Sequence, residues 1–147
     1  MHYVSTRGAA PTLDFAGVLL AGLARDGGLY VPAAWPNLSA EALRALRGQS
    51  YVDVAVRVMA PFIGEAVPLE SFRRLVGEAY AGFSHQAVVP LIQLDSDLWL
   101  MELFHGPTLA FKDVALQLVG RLFDHVLHRR RDRVTIVGAT SGDTGSA

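Results

Sequence analysis

Arg133-Val134-Thr135-Ile136-Val137-Gly138-Ala139-Thr140-Ser141-Gly142-Asp143-Thr144-Gly145 is the stretch on which the fold of this 147-residue chain turns. A short β-branched run, suited to a strand buried on both faces, enters a glycine-rich turn directly. Upstream, Ala115, Leu118, Val119, Leu122, Phe123, Val126 and Leu127 recur every three or four residues, which predicts one long amphipathic helix. Before that helix, Val88 to Leu94 and Leu98 to Leu103 read as strands around an Asp95-Ser96-Asp97 turn. Strands, a long helix and a further buried strand open an α/β layered domain. The preceding chain reads as helices. Asp14 to Leu23 stops before Asp26-Gly27-Gly28, Ser39-Ala40-Glu41 starts a short helix that Gly48 closes, Ser50 to Asp53 opens one reaching Ile63, and Pro68 opens one reaching Tyr80. The expected fold is therefore α/β, with a mostly helical N-terminal domain over residues 1–85 and the start of a sheet domain over 86–147. One long helix and so few strands cannot cover such a sheet on both faces, so a fragment of a longer chain is expected.

Composition narrows the function. Hydrophobic residues make up 51% and charged residues 18%, which excludes a disordered or acidic-tail protein. The net charge of -1 builds in no attraction to nucleic acid or to an anionic membrane. With no cysteine, disulfides, thiolate catalysis and cysteine-type zinc sites are excluded. No 18-residue apolar run is present and the first residues lack a signal-peptide pattern, so the expectation is a soluble, cytoplasmic chain. No metal site is expected either, since His125 and His128 lack a suitably placed third ligand. Arg129, Arg130 and Arg131 read as a helix end complementing the macrodipole.

Two places could carry chemistry. Three glycines with Thr140, Ser141, Asp143 and Thr144 after a strand supply hydroxyls and free N–H groups, which suit a carboxylate or phosphate; an ordinary strand-to-helix turn is the competing reading. The spacing is neither that of a Walker A loop nor G-x-G-x-x-G. Lys112 is the chain's only lysine and stands where the Gly106-Pro107 turn enters the long helix. Apolar neighbours and the helix dipole both disfavour a cation there, which suits an amine nucleophile; a solvated lysine at a helix start is the alternative. His105 reads either as a turn residue or as support for Lys112.

Around these two places the chain resembles threonine synthase, a pyridoxal-phosphate (PLP) enzyme of fold type II. Tyr3 to Gly8 and Gly22 to Pro32 look like that family's N-terminal domain, Glu102 to Asp113 like its cofactor-lysine motif, and Ala139 to Gly145 like its substrate loop. The resemblance implies conversion of O-phospho-L-homoserine and water to L-threonine and phosphate. It implies Lys112 as the residue that holds the cofactor and moves protons, and Asp143 beside the cofactor's phenolic oxygen, where related enzymes often carry Asn. It assigns the substrate carboxylate to Thr140, Ser141, Gly142 and Thr144. Ser5, Thr6 and Arg7 either reach the substrate phosphate or anchor the N-terminal domain. Family members are several hundred residues long, so the remainder of the catalytic domain is expected to be needed for activity and cofactor retention. Two other readings stand beside this one: a threonine-synthase-like phospho-lyase, and a non-catalytic module that binds a partner through apolar surface.

Overall fold

Asp14 and Ser39 each start a helix by accepting a bond that the helix cannot supply to itself. Asp14 takes the Gly17 N–H at 2.7 Å ahead of α1 (Phe15–Ala21), and Ser39 takes the Ala42 N–H at 3.1 Å ahead of α2 (Ala40–Ala45). Two longer helices follow, α3 (Tyr51–Ile63) and α4 (Leu69–Tyr80), joined by a 3-10 turn at Gly64–Ala66. The helices lie close to their expected spans, because caps and apolar spacing are local signals. The computed structural model describes every residue except 141. The chain packs as two units, Met1–Gln49 with Asp53–Arg73, and Ser50–Val52 with Arg74–Ala147.

In the first unit β1 (Tyr3–Ser5) pairs antiparallel with β2 (Tyr30–Pro32), Tyr3 opposite Pro32 and Ser5 opposite Tyr30. This pair was not part of the expected helical region: strands of three residues are too short to show an alternating pattern. Tyr3, Ala16, Ala55, Val56, Ile63, Val67 and Phe72 form the core. The Tyr3 hydroxyl donates to the Phe62 carbonyl at 2.8 Å, which satisfies the polar end of a buried ring.

The second unit is organised by α5 (Asp113–Arg130), whose Leu118, Leu122 and Val126 are buried along with Leu75, Val76, Ala79 and Tyr80 of α4. Arg131, in the left-handed region at φ 53°, ends α5 and returns its N–H to the last turn. A hairpin of β3 (Leu91–Asp95) and β4 (Leu98–Met101) precedes α5, with an irregularity between Gln93 and Asp95. Both of its faces are exposed.

One expected element is absent. Residues 133–137 form no strand, and Ile136 and Val137 are 79% and 90% exposed. A strand needs a partner to receive its backbone hydrogen bonds, and among the described residues none pairs with it. A four-residue helix, α6 (Asp143–Ser146), follows. Among the described residues no helix is long and apolar enough to cross a membrane.

Candidate functional site

Gly106 begins the turn that presents Lys112. Its backbone lies against Asp113, and a Cβ there would come within 2.4 Å of the Asp113 side chain, so only glycine fits. Asp113, the first residue of α5, is completely buried. It accepts the Thr108 N–H at 2.8 Å and the Thr108 hydroxyl at 2.9 Å, closing the turn onto the helix start. A carboxylate in the first helical turn also complements the dipole. Between these anchors Leu109 occupies the left-handed region at φ 62°, a conformation that a branched residue keeps only when its surroundings impose it.

Lys112 leaves this turn with its side chain 26% exposed. Its Nζ lies 2.5 Å from an Asp143 oxygen and 4.4 Å from the centre of the Phe111 ring. Phe111 supplies the apolar neighbour, and Asp143 places a carboxylate against the amine. An amine held between a ring face and an acid, and open on one side, can meet an aldehyde.

The other residues singled out in the sequence fall into three groups. Thr140 accepts the Gly142 N–H at 3.1 Å, and Gly142 stands at φ 126°, so the loop leading to Asp143 is shaped by its own hydroxyl. Thr144 is exposed on α6, and Ser141 lies outside the described residues. Lys112, Thr140, Gly142, Asp143 and Thr144 thus share the second unit, and Lys112 touches Asp143 directly. Ser5, Thr6 and Arg7 belong to the first unit, where all three are bound into the Asp26 turn. Ser5 Oγ is 2.8 Å from both Asp26 oxygens, Thr6 Oγ1 accepts the Leu29 N–H at 3.0 Å, and Arg7 Nη1 donates to the Asp26 carbonyl at 2.9 Å. These bonds tie the end of β1 to the turn ahead of β2.

Sequence reasoning passed over two acids. Besides Asp113, Glu102 accepts from His105 Nε2 at 2.7 Å, while His105 Nδ1 lies 3.2 Å from Ser84 Oγ. His105 is therefore a brace at the entry of the turn, with both ring nitrogens engaged. The available signals were the i,i+3 spacing of Glu102 and His105 and an acid at the first position of a helix.

Comparison with known proteins identifies the family. A family profile described as threonine synthase N terminus matches residues 2–80. Threonine synthase of Pseudomonas aeruginosa is 56% identical over 147 residues, which is all of this chain and 31% of that protein. Threonine synthase-like 2 of Xenopus laevis is 42% identical over 148 residues, again all of this chain and 31% of the relative. The crystal structure of PLP-bound threonine synthase from Brucella melitensis superimposes with a TM-score of 0.96 at 61% identity, covering 99% of this chain and 31% of that one. The chain thus spans about a third of the length of these relatives. With more than half of its residues inside the threonine synthase N-terminal profile, it belongs to the threonine synthase family.

Proposed function

We propose that this chain is the N-terminal portion of a threonine synthase, which converts O-phospho-L-homoserine and water to L-threonine and phosphate with PLP. The observation that carries the reading is Lys112: the chain's single lysine, at the start of α5, 2.5 Å from Asp143. The donor set fits the cofactor, because Lys112 offers a partly exposed amine and Asp143 a group beside it. The bound cofactor supplies an electron sink for the α-carbanion.

The residues divide the remaining work. Lys112 would hold the cofactor, and its Nζ would take the α-proton and return protons at the β and γ carbons. Asp143 orients Nζ. The hydroxyls and N–H groups of Thr140, Ser141, Gly142 and Thr144 receive the substrate carboxylate. Ser5, Thr6 and Arg7 hold the Asp26 turn, the use their bonds favour over phosphate binding. The domain division falls at 85/86, with residues 86–147 beginning a fold type II sheet domain. That sheet and the cofactor-phosphate site are completed by further chain, so these 147 residues do not turn over alone. A cytoplasmic location accompanies this reading.

The test measures phosphate and threonine formed from O-phospho-L-homoserine, with PLP, by these 147 residues and by the longest natural protein that contains them. The longer protein is expected to make both products in equal amounts, and Lys112→Ala to lower the rate about 1,000-fold or more. Turnover by Lys112→Ala, or by the 147 residues alone, would overturn the assignment. The Xenopus relative supports a second reading, a threonine-synthase-like phospho-lyase, which would release phosphate without threonine. A non-catalytic binding module, for which the exposed hairpin speaks, would form neither product.

A further inference from the structure

Asp113 does more in this turn than start a helix. It is completely buried, and the described bonds to its carboxylate come from Thr108, five residues earlier. The same carboxylate fills the space that Gly106 leaves open. Residues 106–112 are thus closed into a loop whose two ends are clamped by one side chain, with Leu109 kept at φ 62° inside it. Lys112 is the last residue of that loop. Its side chain runs over the Phe111 ring and onto Asp143.

We propose that Asp113 is a positioning residue for Lys112: through Thr108 and Gly106 it aims the Lys112 amine, and does not merely stabilise α5. The inference rests on the reading of Lys112 as the cofactor lysine, but one of its two tests is independent of that reading. Reorientation by even about 1 Å at a reacting atom lowers a rate on the order of 100-fold, so a clamp one residue away is placed to control reactivity.

The experiment uses the fact that Lys112 is the chain's only lysine. Reductive methylation with ¹³C-formaldehyde yields one dimethyl-lysine signal, distinct from that of the N-terminal amine. Its position reports the Phe111 ring current. In parallel, the rate at which PLP forms a borohydride-stable pyridoxyl adduct on Lys112 is followed by peptide mapping in the longest natural protein that contains these residues. Asp113→Asn, Thr108→Val and Gly106→Ala are compared with Val126→Ala, a buried α5 change away from the turn, after thermal melting of all four.

The three clamp variants are expected to lose the ring-current displacement and to form the adduct about 10- to 100-fold more slowly. Val126→Ala is expected to keep both wild-type values despite a comparable loss of melting temperature. Asp113→Asn combined with Thr108→Val is expected to cost no more than either alone, as for two partners in one interaction. If Asp113→Asn fails to fold, Thr108→Val and Gly106→Ala decide the matter. Wild-type signal position and adduct rate in the folded clamp variants would overturn the proposal, as would equal losses in Val126→Ala. Failure of the longer wild-type protein to form any adduct on Lys112 would count against the cofactor-lysine reading, while the methyl signal would still decide whether Asp113 aims the amine.

Discussion

Asp26 draws several groups of the first unit onto one carboxylate. It receives the N–H groups of Gly28 and Ala9, each at 2.9 Å, and the Ser5 hydroxyl. The Gly28 N–H above all, helped by Ser5, Ala9 and Ala10 and opposed by partial desolvation, holds its carboxyl below the ordinary value of 3.8. The folded state therefore binds this proton more weakly than the unfolded chain does. The stabilisation is complete above that ordinary value and is lost as pH falls below it. Asp26→Asn is expected to flatten the acid limb of a plot of urea midpoint against pH; an acid limb unchanged from wild type would count against the assignment. Gly28→Ala places a Cβ 2.4 Å from Ser5 Oγ and is expected to cost about 1–3 kcal/mol in the same assay. Lys112 could be picked out from the sequence because it is unique and stands at a helix start. Asp26 could not, since an acid before two glycines reads only as a turn. The Ser5 hydroxyl it binds comes from 21 residues away.

At the scale of elements, the contact of α4 with α5 runs through Tyr80. Its hydroxyl donates to the Val114 carbonyl at 2.9 Å, and its ring packs edge-on against Tyr51 at 5.0 Å and Phe83 at 5.4 Å. Burial, with Tyr51 nearby adding to it, pushes the Tyr80 hydroxyl up to about 12. Because the folded state holds this proton more tightly, the contribution to stability is complete below the ordinary value of 10.0 and is lost as pH rises towards 12. Unfolding midpoints measured across that range are expected to fall for wild type and to change much less for Tyr80→Phe. An equally steep fall in Tyr80→Phe would assign the alkaline transition elsewhere. The helices themselves were legible, since Asp14, Ser39 and the periodic stripe of α5 are contained within single segments. Residues 133–137 carried a strand pattern of the same quality, yet no strand forms, because pairing depends on residues outside the segment.

The whole molecule leaves Leu91, Ile92, Leu94, Leu98, Trp99, Leu100 and Met101 exposed, on a hairpin with two open edges. So much contiguous apolar surface on unpaired strands favours association. Sedimentation velocity of the 147 residues is expected to show association that grows with concentration. Ile92→Lys together with Leu100→Lys, which are directly opposite across the hairpin, is expected to suppress it. Association unaffected by that pair would place the contact elsewhere. From the sequence alone came the α/β class, the helices with their caps, the β3–β4 hairpin, and the family, read from Lys112 and the two glycine-bearing turns. All of these depend on residues near one another in the chain. The tertiary structure alone decided that β1 pairs with β2, that Ser5 and Arg7 are bound to Asp26 and Thr6 to Leu29, that Asp143 lies against Lys112, and that Asp113 closes the turn before it. Those outcomes depend on which distant groups share a volume, and no periodicity or spacing within a segment encodes that.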